Sequence, residues 1–489
     1  MKIRIYLALI AATFALQGCD SFLDVKPKGY TIPEKFEDYE KLMNYANLYR
    51  SLDVYPSFIT DDILLLSKNQ TTVSWFEYEG KSDEQRNLYS FQHGQIYTPG
   101  NNDGIWEGGY SNIFTYNAVI NNVMSSPDAS DTEKKRLLAE ALVGRAFEYL
   151  NLVNVYGKHY DAATAATDYG VPLVLSEEVS RTYKRNTVAE VYAQIAEDLN
   201  KATPNLSEKV AHSFRPNQSI GYAFLSRMYL YMGKYSEALT NANEALKISN
   251  ELVDYKLYTT RHSTFNRIIL ADNSDVTFPN EHYNVENIYT RMMNGTSYLF
   301  KSVAASKDLL DVYKTNLATD GKDMRFELFF VTDQANFKMD ANAAPEKFVG
   351  YSSFAPYLEL NAGFTTPEIY LIAAECEARV GSIDKALGHL NKLRDSRIKG
   401  NVHYTNIPAM TKQQALKLVI DERRREFAFS GIYRLVDLKR MNREEGFAKT
   451  ITHTAEGQTW ELPANDSRYI MPVPLNVLDY NSNMPQYER

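Results

Sequence analysis

Apolar positions recur at helical spacing through most of the chain, and the clearest instance occurs twice. Arg227-Met-Tyr-Leu-Tyr-Met-Gly-Lys-Tyr-Ser-Glu-Ala-Leu and Glu375-Cys-Glu-Ala-Arg-Val-Gly-Ser-Ile-Asp-Lys-Ala-Leu repeat each other at an offset of 148 residues. Each reads as a helix, a tight turn at glycine and a second helix. Gly233 and Gly381 mark turns that need a positive φ or a close approach of helices, and Ala238 and Ala386 supply small side chains at the crossing. Tyr222, Leu225, Tyr229 and Leu230 give the first segment one apolar face. This is the pattern of a tetratricopeptide-type helical pair. Similar patterns surround Leu137–Leu150, followed after a loop by a helix over Val188–Ala202, and Thr411–Met441. The expected fold is mainly α, with about four pairs near 106–160, 187–250, 365–400 and 411–441. A single pair cannot bury its apolar face, so the pairs must stack.

Two stretches, roughly 60–105 and 254–350, do not follow the helical repeat. They carry turn signals such as Asp103-Gly104 and Asp320-Gly321, and β-prone runs such as Glu327-Leu-Phe-Phe-Val-Thr. They predict an irregular, loop-rich half with short strands resting on the repeats, all within a single domain over 32–489. Loops this long in a regular scaffold usually carry function.

The first residues set the compartment. Lys2 and Arg4 precede an apolar run from Ile5 to Leu16 that ends in Leu16-Gln17-Gly18-Cys19, the pattern of a secretory signal closing on a lipobox. Twelve apolar residues in a helix span about 18 Å, too little for a hydrocarbon core of about 30 Å. The expectation is removal of residues 1–18, lipid attachment at Cys19, and an extended tether over 19–31 with Pro27 and Gly29. Cys376 is the other cysteine and falls in a helical pattern, so the fold relies on a core and not on disulfides.

The chain carries a net charge of −8, which gives nucleic acid no electrostatic footing. The eight histidines never pair at i, i+3 or i, i+4, and there is no nucleophile elbow, phosphate loop or Cys-x-x-Cys. The expectation is therefore no enzyme, no metal and no cofactor. The charge run Asp421-Glu-Arg-Arg-Arg-Glu426 sits in an amphipathic helix and predicts internal ion pairs.

Aromatic residues are the compositional outlier, with 35 Tyr, 23 Phe and 3 Trp. Trp75, Phe76 and Tyr78 stand in a polar run, and Tyr283, Tyr289, Tyr298 and Phe300 lie close to Asn284, Glu286, Asn287, Arg291 and Asn294. Sugar rings present C–H faces to aromatic platforms and hydroxyl edges to amides and charged groups. Trp75, Tyr78, Tyr283, Asn287, Tyr289 and Tyr298 are the candidate ligand contacts, against the alternative that they anchor loops. Trp106 and Trp460 read as structural.

Several blocks of recognisable pattern stand in order along the chain. They are Phe22-Leu-Asp-Val25 with Pro27 after the lipobox, Trp106-x3-Tyr110-x2-Ile113-x3-Asn117, and Glu140-Ala141 with Arg145, Tyr149 and Tyr156-Gly157. Asp323-Met-Arg325, Pro367-Glu368 through Glu375, Glu422–Glu426, Asp437–Arg440 and the closing Pro472-Val-Pro474 follow in order, and together these blocks resemble the SusD/RagB family of outer-membrane nutrient-binding lipoproteins. Ser430 departs from the glutamate often found there, and Gly431–Asp437 is one residue longer than the commonest form. The resemblance spans essentially the whole mature chain. It implies four tetratricopeptide-type pairs carrying an irregular ligand-binding half, display at the cell surface, and partnership with a SusC-like TonB-dependent transporter over which the protein moves as a lid. A glycan is the favoured ligand. An oligopeptide, or a scaffold role for protein partners, are the alternatives.

Overall fold

The computed structural model describes residues 33–50, 54–71, 74–177, 183–262, 267–272, 274–293, 302–315, 317, 321–337, 346–356, 358–400, 403–405 and 410–489. The signal segment, Cys19, the whole of the tether over 19–31 and Tyr298 lie outside these residues.

Helices α1 (Phe36–Met43), α2 (Asp83–Tyr89) and α3 (Gly104–Asn122) precede the long α4 (Asp131–Tyr156). Helices α5 (Val188–Ala202), α6 (Gln218–Tyr231) and α7 (Tyr235–Ile248) follow, then the short α8 (Lys307–Lys314) and α9 (Met324–Phe329). The second half holds α10 (Thr366–Val380), α11 (Ile383–Arg397), α12 (Lys412–Glu426), α13 (Tyr433–Met441) and α14 (Leu475–Tyr480). The β structure among the described residues consists of two-stranded antiparallel ladders, such as Ile63–Leu64 with Ala304–Ala305 and Ile451–Ala455 with Gln458–Leu462. The fold is mainly helical with few short strands, as the apolar pattern predicts.

Local sequence accounts for the helix boundaries. Ser130 with Glu133, Thr187 with Glu190 and Thr411 with Gln414 form reciprocal capping boxes at the starts of α4, α5 and α12, each worth about 1 kcal/mol. The helices pack as α4 with α5, α6 with α7 and α10 with α11, and α10 also lies against α7 and α12. Ala238, Ala242, Ala245 and Ala386 are fully buried at these crossings. The two turn glycines act for different reasons. Gly233 takes φ +71°, a conformation that L side chains resist. Gly381 has an ordinary φ of −111°, but a Cβ there would collide with the Glu377 carboxylate, which accepts the Ser382 amide at 2.9 Å.

The run Glu327–Thr332, expected as β-prone, is divided: α9 extends to Phe329, and Phe330–Val331 pairs with Ser353–Phe354. The Asp323 carboxylate caps α9 through the Arg325 amide and outweighs the β preference of the phenylalanines.

The irregular half is tied to the repeats by buried charge. On α12, Glu422 accepts from Arg325 at 2.5 Å, Arg394 at 2.8 Å and Arg425 at 3.0 Å. Glu426 accepts from Arg325 at 2.8 Å and Arg397 at 2.9 Å, and Arg397 also reaches Glu286 at 2.7 Å. Arg424, on the same helix, reaches Asp62 at 2.8 Å and Asp308 at 3.1 Å, and Arg434 holds Asp61 at 2.7 Å. Burial alone would raise the Glu422 carboxyl, but the surrounding guanidiniums hold it well below the usual carboxylate range. The charge run is therefore internal, as its amphipathic setting predicts.

Removing one member of a buried network strands the others. Glu422→Gln should lose about 3–5 kcal/mol of folding stability in urea unfolding, whereas Asp421→Asn, whose partner Lys417 is exposed, should change it by less than about 0.5 kcal/mol. Equal effects of the two substitutions would contradict a structural role for Glu422.

Candidate functional site

The segment after the first strand returns on itself: the Leu66 amide donates to the Phe76 carbonyl and the Tyr78 amide to the Leu66 carbonyl, both at 2.9 Å. Phe76, at the end of a short 3-10 turn over Ser74–Phe76, plugs a small apolar cluster with Leu66, Ala304, Val331, Phe348, Tyr351 and Ala355. Its ring meets Tyr351 at 5.3 Å and Phe348 at 5.7 Å. That plug leaves its neighbour Trp75 outward, 42% exposed. Lys81 donates to the Trp75 carbonyl and fixes the turn from behind. Burial pushes the Lys81 ammonium down to about 8.

The C-terminal hairpin stands beside this loop. Ile451, His453 and Ala455 face inward, while Thr452 and Thr454 face solvent. Glu456 (φ +50°) and Gly457 (φ +72°) form its tip, the two left-handed residues a tight hairpin requires. His453 stacks on Tyr89 at 4.1 Å with its ring nitrogens 2.8 Å and 3.0 Å from the Tyr89 and Thr60 carbonyl oxygens, which pins the hairpin to the body. Glu456 binds the Lys68 amide at 2.8 Å, and the Glu456 amide donates to Ser67 Oγ at 2.7 Å, so loop and hairpin are joined edge to edge.

Between them lies an open groove of about 510 Å³. Its walls are Leu64, Leu66, Ser67 and Gln70 on one side, Val349, Gly350 and Tyr351 on another, and Thr454, Ala455, Gly457, Gln458 and Thr459 on the third. Gly350, at φ +82°, donates its amide to Asp333 at 2.7 Å and turns the middle wall. The lining offers hydroxyls and primary amides beside aliphatic surface, and none of its residues is an acid, lysine, arginine or histidine. Such a surface can hydrogen-bond a neutral polyhydroxylated ligand without desolvating a charge.

The sequence candidates separate. Trp75 belongs to the loop that forms the first wall, although its ring is not part of the groove lining. Tyr78 is half-buried and stacks on Trp460 at 5.3 Å, so both rings brace loop against hairpin. Tyr289 is fully buried, with the Arg291 guanidinium 3.7 Å from its ring centre, and is a core residue. Asn287 is held by the Glu281 carbonyl and by Asn361, both at 3.0 Å. Glu286 and Arg291, also buried, are taken up by Arg397 and by the Phe214 and Thr290 carbonyls. Tyr283 is 79% exposed beside His282, in a different aromatic group with Phe214 and Tyr49. Proximity in sequence had grouped these polar side chains around a ligand; internal partners claim several of them. The hairpin contribution went unread in the sequence, although Glu456-Gly457 between two alternating five-residue runs is a hairpin signal.

Comparison with known proteins follows the same outline. A family model described as starch-binding, associating with the outer membrane, matches residues 21–230, and the SusD family model matches residues 366–489. The chain belongs to the SusD family. A SusD-like protein of Formosa agariphila is 22% identical, over 98% of this chain and 97% of its own length. A SusD superfamily structure from Bacteroides thetaiotaomicron superposes with a TM-score of 0.66 at 20% identity, covering 93% of this chain and all of its own. A SusD-like carbohydrate binding protein from Bacteroides vulgatus gives 0.65 at 20% identity over 92% and 98%. These likenesses establish the SusD fold across the described chain. Among the described residues no helix is long and apolar enough to cross a membrane, and no cluster of potential metal ligands occurs.

Exposure sorts the two aromatic candidates of the loop. Trp75→Ala should leave stability within about 0.5 kcal/mol and weaken oligosaccharide binding by roughly 1–3 kcal/mol in calorimetric titration. Tyr78→Ala should cost about 2–4 kcal/mol of stability through loss of the Trp460 stack. A destabilised Trp75→Ala protein, or one with unchanged affinity, would remove Trp75 from the site.

Proposed function

We propose that this SusD-family protein is a cell-surface lipoprotein that captures a neutral oligosaccharide and delivers it to a TonB-dependent outer-membrane transporter. The observation that carries the ligand class is the uncharged hydroxyl- and amide-lined groove, with an exposed tryptophan on the loop that continues from its first wall. Its volume lies within the roughly 300–1,000 Å³ usual for small-ligand sites. Trp75 offers an exposed stacking face on the adjoining loop, while Ser67, Gln70, Thr454, Gln458 and Thr459 offer partners for ring hydroxyls. The solved carbohydrate-binding relative and the starch-binding description of the matching family model support the same class.

Delivery and display rest on family membership, and anchoring rests on the Leu16–Cys19 lipobox. No step of bond chemistry is assigned, since the groove holds no acid, base or nucleophile pair.

Because no charged side chain lines the groove, the affinity for a neutral glycan identified on an array should change less than about twofold between 50 and 500 mM salt. A silent glycan array combined with recovery of peptides from a mixture would reverse the ligand assignment in favour of oligopeptides. For the anchor, Cys19→Ala should abolish acylation and release the protein from the membrane fraction. Wild-type protein without acyl mass would contradict the lipobox.

A further inference from the structure

A second cavity, of about 280 Å³, opens beside α3 and is predominantly apolar. Trp106, Tyr110 and Phe114 of α3, Val174 of the following extended segment, and Val477 and Met484 near the C-terminus line it. Phe114 is 50% exposed and the neighbouring Leu175 is 40% exposed, so unpartnered apolar surface continues from the cavity along the helix.

The course of that groove is set by hydrogen bonds. Residues 172–177 run beside α3: Tyr110 donates to the Pro172 carbonyl at 2.8 Å, Asn117 to the Val174 carbonyl at 2.9 Å, and Asn121 and Asn122 to Glu177 at 2.7 and 2.9 Å. The far end of the groove is therefore the C-terminal end of α3. The described chain begins there. Tyr39 donates to the Pro33 carbonyl at 2.9 Å, the Phe36 amide donates to Asp128 just beyond α3 at 2.9 Å, and Glu177 lies close enough to help raise the Tyr39 hydroxyl, though burial is the larger cause.

We propose that the cavity is the dock of the chain's own anchor-proximal segment, Phe22-Leu23-Asp24-Val25. The lengths agree. From Asn122 back to Tyr110 or Trp106 the helix rises about 18–24 Å. From Pro33 back to Val25 or Phe22 an extended chain spans about 26–36 Å, enough to run along the groove and set Phe22, Leu23 and Val25 at the cavity. Three apolar side chains within four residues match an apolar, aromatic-walled recess, and the polar residues Lys26, Lys28 and Thr31 fall on the connecting run. Docking would fix the point at which the chain leaves the domain toward Cys19, on the α3 and C-terminal side, and so orient the ligand groove relative to the attachment point. The dock itself does not depend on lipidation or on the identity of the nutrient.

The test replaces Phe22 with the photo-crosslinker p-benzoylphenylalanine in the full chain and maps the adducts by mass spectrometry after irradiation. The expected adducts fall on Tyr110, Phe114 or Met484 of the same molecule, and Phe114→Asp should lower their yield at least tenfold. Should Phe114→Asp fail to fold, amide exchange of residues 22–26 in the wild type decides. Exchange at least tenfold slower than in the same free peptide supports the dock. Adducts on a second copy, on another protein or at unrelated positions, or exchange as fast as in the free peptide, would overturn it. Because neither readout involves a glycan, their failure would leave the oligosaccharide assignment untouched.

Discussion

The structure depends on a carboxylate–guanidinium lattice centred on α12. Glu422 and Glu426 are both buried, and each accepts from arginines of different elements: Arg325 from the irregular half, and Arg394 and Arg397 from α11. Arg424, from the same helix, reaches the loop at Asp61 and Asp62 from which the first wall of the groove departs. An ion taken out of water costs several kcal/mol unless its partners are complete, so these charges tolerate few alternative arrangements. The consequence is registry. Loops with little regular secondary structure are held in one relation to the helical pairs.

That arrangement leaves the ligand groove with a different chemistry from the interior. The arginines and acids that would recognise a charged ligand are committed inside, while the wall residues between Ser67 and Thr459 are neutral. Recognition of the proposed neutral glycan then relies on stacking and on hydrogen bonds exchanged with water, each contributing modestly. The proposed delivery to a transporter is compatible with such a balance, because no single buried charge has to be rehydrated when a ligand departs. The hairpin supports this by rigidity: His453 stacks on Tyr89 and Trp460 on Tyr78, and the two pairs meet in one aromatic cluster.

Much of the helical half was legible because its signals are local. The repeated turn at Gly233 and Gly381 and the amphipathic charge run each report on residues within one or two turns. The loop half was less legible because its contacts join distant residues. Glu286 and Arg291 looked available for a ligand until Arg397, Phe214 and Thr290 claimed them from 1 to 111 residues away. Tyr289 and Tyr283 stand in the same short stretch, yet one is core and the other surface. Trp75 was correctly read as standing outside the helical pattern. Its exposed position follows from Phe76 filling the Tyr351 cluster, a contact across some 275 residues that no local pattern carries.

The most direct test is a crystal structure of the protein with an oligosaccharide that it binds. The account predicts sugar density in the groove bounded by 64–70, 349–351 and 454–459, with ring hydroxyls on the Thr454, Gln458 and Thr459 side chains and a sugar face approaching Trp75. Density instead against Tyr283 and His282, with the groove between loop and hairpin occupied by solvent, would contradict it.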